Sequence, residues 1–122
     1  MRIKEAIAES MITHLLQLCK AELGIDTLPG IQIIEDEPTV GGGTSFGEFD
    51  GENIRVVATG RHPMDVARTL AHELVHWKQK MEGAELDGSD GSSTENEANA
   101  TAGIIMRKFA KMYPDYFLDT LP

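Results

Sequence analysis

The sequence predicts an α+β fold in which an N-terminal helix and two later helices enclose a small β-sheet. Three observations predict it. Apolar residues recur at steps of three and four in three separate stretches. Short β-branched runs fall only between the first and second of these. Gly, Pro and Asp-Gly punctuate the junctions.

Ile3 to Leu23 is the first helical stretch, with Ile3, Ile7, Met11, Leu15, Leu18 and Glu22 along one line and Gly24 as its stop. Pro29-Gly30 makes a turn into the strand Ile31-Gln32-Ile33-Ile34. Gly41-Gly42-Gly43 is flexible, and it lacks both the lysine and the glycine spacing of a phosphate loop. Thr44 to Phe49 and Asn53 to Ala58 read as strands joined through Asp50-Gly51, a β-hairpin. Pro63 suits the first turn of a second helix, where Asp65 complements the dipole. Its apolar stripe is Val66, Leu70, Leu74, Trp77 and Met81, and Gly83 ends it. Gly83 to Ser93 is a polar loop, and its Asp87 and Asp90 lack the spacing and closing glutamate of a calcium loop. The last helix begins at Ser93 or Thr94, where Ser92 with Glu95 and Thr94 with Glu97 both have capping-box spacing. It buries Ala98, Ala102, Ile105, Phe109 and Met112 and stops at Pro114.

A chain of 122 residues forms one domain with a modest core, which a bound metal would help to stabilise. Its net charge of −9 argues against nucleic acid and anionic membrane as partners, since both require clustered Lys and Arg. Cys19 is the only cysteine, so no intramolecular disulfide forms, and its place on a helical pattern makes it a small core residue. No apolar run approaches a membrane span, and the N-terminus lacks the uninterrupted apolar stretch of a secretory signal. The expectation is a cytoplasmic protein, with carriage in a larger particle left open.

The chemistry sits in His72-Glu73-Leu74-Val75-His76, inside the second helix. Residues four apart share a helix face, so both imidazoles reach one metal ion. Glu73 is about 100° around the axis from His72 and points beside that ion, where it can take a proton from a zinc-bound water whose pKa the metal has lowered. From the His and Glu content of this chain, such a motif is expected by chance only about 0.012 times, so coincidence is a poor explanation.

A catalytic zinc needs a third protein ligand and one open position. Glu82, Glu85, Asp87, Asp90, Glu95 and Glu97 are the downstream carboxylates. Glu95 extends the buried line of Ala98, Ala102, Ile105 and Phe109, whereas Glu97 follows Thr101, Ile104 and Lys108 on another face. Helix phase therefore favours Glu95, with Glu97 as second choice. Asn99, one turn further, is placed to hydrogen-bond the second nitrogen of a ligand histidine.

Together, His72-Glu73-Leu74-Val75-His76 and Glu95-Asn96-Glu97-Ala98-Asn99 resemble the gluzincin metallopeptidases. That family's pattern is His-Glu-x-x-His on one helix and Glu-x-x-x-Asp, with Ala-Asp or Ala-Asn endings, on the next. The resemblance implies His72, His76 and Glu95 as zinc ligands, Glu73 as general base and Asn99 as the residue behind a ligand. Asn99 stands where many members have Asp, which would orient a histidine less strongly. Element order over most of the chain is similar to the small stand-alone minigluzincins, although only the two motifs are specific. It implies a zincin-like fold with a backing helix, a small sheet, an active-site helix and a glutamate helix. The edge strand, Thr44 to Phe49 here, would then pair with an extended peptide substrate. Phe46 and Phe49 serve equally well as core residues. The metzincin continuation to a third histidine is missing.

The expected function is a zinc-dependent endopeptidase. Tyr113, Tyr116, Arg61 and His62 are all open as the group that stabilises the oxyanion beside zinc. The alternative is a zinc-binding structural or interaction module of a larger assembly, for example a virus particle, with little turnover. Glu73 argues against it, because a structural site gains nothing from a base and has four protein ligands. The apolar tail within Tyr113 to Pro122 suggests a cover for the enzyme's own cleft, as does the first helix.

Overall fold

The computed structural model describes residues 3–40, 45–86 and 91–117, with side chains from Glu9 to Tyr116 within those ranges. Three helices, α1 (Ile3–Leu23), α2 (Pro63–Met81) and α3 (Ser93–Met112), pack with a sheet of β1 (Gly30–Ile34), β2 (Gly47–Phe49) and β3 (Asn53–Val57). The architecture is α+β. Among the described residues, no helix is long and apolar enough to cross a membrane.

The sheet is mixed, with strand order β1-β3-β2. β1 runs parallel to β3 from Gly30↔Asn53 to Ile34↔Val57, and β2 pairs antiparallel with β3 from Gly47↔Val56 to Phe49↔Ile54. The central strand β3 buries Ile54, Val56 and Val57 completely. The hairpin turn follows from local chemistry. The Asp50 carboxylate accepts from the backbone N–H groups of Glu52 and Asn53, which holds its pKa below the usual range. Gly51 supplies φ +100°, a conformation that residues with a Cβ rarely adopt. Lys80 on α2 donates to the Gly51 carbonyl at 2.8 Å and so ties the turn to the last turn of that helix. The first strand of the hairpin is shorter than the sequence suggests. Ser45 makes only an isolated bridge to Val40, and Thr44 lies outside the described residues.

Helix phases hold, with corrections near the ends. On α1, Met11, Leu15 and Leu18 are buried, but Cys19 and Leu23 complete the stripe in place of Glu22. Glu22 instead takes an ion pair from Lys108 of α3 at 2.8 Å. Met81 and Met112, expected on the buried stripes of α2 and α3, are 54 % and 55 % exposed, because each falls in the last turn, beyond its neighbours' cover. Cys19 is wholly buried, and desolvation pushes its thiol up to about 12, which suits a core residue and not a nucleophile. Phe109 is the largest fully buried side chain. Phe109→Ala is expected to cost about 3–5 kcal/mol, a large share of a typical domain's ~5–15 kcal/mol. The denaturation midpoint in urea measures the loss.

The described tail does not cover a cleft. Tyr113 stacks on His14 of α1 at 4.4 Å, and the Tyr116 hydroxyl meets His14 Nδ1 at 2.8 Å. Both tyrosines also pack on Phe109. The short 3-10 turn Pro114–Phe117 is thereby anchored to α1. Residues 118–122 of the tail expected to mask the site lie outside the described residues.

Candidate metal centre

α2 begins where His62 caps it, the imidazole Nδ1 accepting from the Met64 N–H at 3.0 Å, with Pro63 at the first helical position. α3 begins where the Ser92 hydroxyl accepts from the Glu95 N–H at 3.2 Å. This cap fixes Glu95 in the first turn of α3. That turn lies against the C-terminal half of α2, where Gln79 meets Thr94 and Glu97. Gly103, further along α3, lies beside Arg68 near the start of α2, so the two helices run in opposite directions.

This arrangement brings side chains from both helices to one point. His72 Nε2 and His76 Nε2 are 3.1 Å apart. The Glu95 carboxylate reaches His72 Nε2 at 3.3 Å through one oxygen and His76 Nε2 at 2.6 Å through the other. Glu73 clusters with the two histidines, their ligand atoms lying within 4.8 Å of one another. Glu95 contacts both imidazoles directly, so either glutamate could join the histidines on a cation, with Glu95 nearer to their Nε2 atoms.

The orientation of the His76 ring follows from its neighbours. The Gln79 side-chain amide donates to the Thr94 carbonyl at 3.0 Å and to the Glu97 carboxylate at 2.8 Å, which fixes its nitrogen toward α3. Its oxygen then faces His76 Nδ1 at 2.7 Å, so Nδ1 carries a hydrogen and the ring presents Nε2 to His72 and Glu95. Burial, foremost, holds the His72 pKa below its ordinary value; Glu95 opposes this and the neighbouring His76 adds to it. Asn99 hydrogen-bonds the His72 ring. The Nε2 atoms of two imidazoles and a carboxylate thus converge on one point. They could hold a divalent cation in place of the shared hydrogens, and an N,N,O donor set of this kind suits zinc.

Glu73 is 8 % exposed. Burial, chiefly, pushes its pKa up to about 7, with Glu95 and Glu48 adding to the rise and His76 opposing it. A carboxyl at that value exchanges protons readily near neutrality. The histidines and the two glutamates line a cleft of about 350 Å³. Ser45, Leu86 and Gly47, Glu48 and Phe49 of β2 complete its lining.

The other sequence-predicted residues fall elsewhere. Glu97 does not touch the imidazoles and serves instead as the acceptor for Gln79. Glu82 and Glu85 are exposed, and Asp87 and Asp90 lie outside the described residues. Tyr113 is eighteen residues beyond Glu95 at the far end of α3, about 27 Å along the axis at ~1.5 Å per residue. With Tyr116 packed beside it, neither tyrosine reaches the cleft. His62 is spent on the cap of α2. Arg61 donates to the carbonyls of Val57 and Asp65 and to the Thr69 hydroxyl, and its guanidinium stacks 4.4 Å over the ring of Phe46. Phe46 is half exposed, whereas Phe49 packs edge-on against Trp77 and joins the core.

The sequence reading missed Gln79. Its signal was present, since Gln79 follows His76 by three and so lies on the same side of α2. Gln79→Ala is expected to weaken zinc binding about 10- to 100-fold while leaving the helix intact. Competition against a chromophoric chelator measures this.

Compared with protein-family models, with curated proteins and with solved structures, the chain matches none significantly.

Proposed function

We propose that the chain is a zinc-dependent endopeptidase with a zincin-like fold of the small gluzincin type. The observation that carries the reading is the convergence of His72 Nε2, His76 Nε2 and both Glu95 oxygens, from two helices, beside a buried carboxyl poised near neutrality. His72, His76 and Glu95 would hold the ion, which supplies a Lewis acid to the scissile carbonyl when bound. Glu73 accepts a proton from the attacking water and returns it to the leaving amine. The open edge of β2 pairs with an extended peptide, which lies across the cleft between Leu86 and the Phe46 end of the sheet. A buried free thiol at Cys19 suits a reducing compartment, and we assign the activity to the cytoplasm.

Zinc content and cleavage of an unfolded casein-type protein, measured before chelation, after it, and after zinc is restored, test the reading. One zinc per chain with cleavage lost and regained supports it. One zinc per chain with no cleavage at any stage favours the structural module. Absence of zinc from metal-replete protein rejects both and leaves a His76–Glu95 ion pair as the role of these residues.

A further inference from the structure

We infer that Gly47 is a positioning residue for Glu73, a role that rests on the peptidase reading above. Gly47 is the first residue of β2, the edge strand that faces α2 across the cleft. On the same face of the sheet, its partner Val56 is fully buried. A Cβ built on Gly47 would lie 2.5 Å from Thr69 Cγ2 and 2.9 Å from Glu73 Oε2. It would also lie 3.3 Å from Glu73 Cγ. Real Cβ atoms do not come that close to either group, so any side chain here must displace both neighbours.

The two neighbours differ in how easily they move. Thr69 is β-branched and its hydroxyl is held on two sides, donating to the Asp65 carbonyl at 2.9 Å and accepting from Arg61 at 2.8 Å. The Glu73 carboxylate is the end of a longer, freely rotating side chain. Glu73 therefore gives way, and the displaced group is the proposed base. The backbone φ of Gly47 is not in the left-handed region, so the glycine is explained by this close approach and not by a turn. The absence of a side chain at position 47 lets the strand that receives the peptide sit directly against the carboxylate that acts on it. Sequence reading could not find this, because a glycine within a strand-like run has no ligand chemistry of its own.

Gly47→Ala is expected to lower kcat about 10- to 100-fold, the effect of displacing a catalytic group by about 1 Å. KM should change little, since the β2 backbone remains, and zinc stoichiometry should stay at one. A crystal structure of Gly47→Ala should show the Glu73 carboxylate rotated away from residue 47, a readout independent of turnover. Thr69→Ser removes the tighter of the two contacts and keeps the hydroxyl. Alone it should be near neutral, and combined with Gly47→Ala it should leave most of the kcat loss in place, because the contact of the new Cβ with Glu73 remains. Wild-type kcat in Gly47→Ala with Glu73 unmoved overturns the inference. So does a loss accompanied by zinc release, or one that Thr69→Ser repairs, which would trace it to Thr69 and not to Glu73. If the wild type itself binds zinc and shows no hydrolysis, the peptidase reading fails; an unmoved Glu73 in Gly47→Ala still tests the positioning separately.

Discussion

Glu73→Gln is expected to retain one zinc per chain and to lower kcat/KM for peptide hydrolysis about 100- to 10,000-fold, the usual worth of a positioned acid-base group. The amide has nearly the same shape, so the cleft and the nearby Gly47 are undisturbed. What it loses is the ability to accept a proton. A buried group with its pKa pushed up to about 7 is also costly to keep charged, so the substitution should not destabilise the fold and is free to stabilise it. Zinc content by elemental analysis, steady-state kinetics and a thermal melt on one preparation separate these effects. Lost zinc would show that Glu73 is a ligand and not a base.

Glu95→Ala is expected to abolish the coupling between zinc and stability. A site filled at a zinc concentration about 1,000-fold above Kd gains about 4 kcal/mol, which raises the melting temperature of a domain this size by roughly 10–20 °C. In Glu95→Ala the two histidines remain on one helix, but nothing from α3 completes the set. The zinc-dependent rise should vanish, while the chelated wild type and chelated variant should melt closer together than the zinc-loaded wild type and its own apo form. Calorimetry with and without chelator decides this. An undiminished rise in Glu95→Ala would assign the third ligand elsewhere.

Much of the fold could be read from periodicity because burial and periodicity have the same cause. The stripes on α1, α2 and α3 follow from apolar residues at three- and four-residue steps. They mislead at Glu22, Met81 and Met112, where the pattern continues but the neighbouring element does not. Glu95 was legible for the same reason: a carboxylate in phase with Ala98 and Ala102 has to face inward. The residues left unresolved by sequence are those whose role depends on distances between elements. Nothing in the pattern places Tyr113 and Tyr116 on His14, or Arg61 over Phe46. Gln79 and Gly47 act through contacts across two elements, so their identities look ordinary until α3 and β2 are set beside α2.

The contact of His14 with Tyr113 and Tyr116 joins the first helix to the chain that follows the last one, a separation of about a hundred residues. During synthesis, Met11, Leu15 and Cys19 emerge from the ribosome long before Phe109 and the two tyrosines can cover them. That helix face can meet α2 as soon as Leu70 and Leu74 are made, and α3 with the two tyrosines completes its cover, so the core closes in two stages, the second of which also brings Glu95 to the histidines.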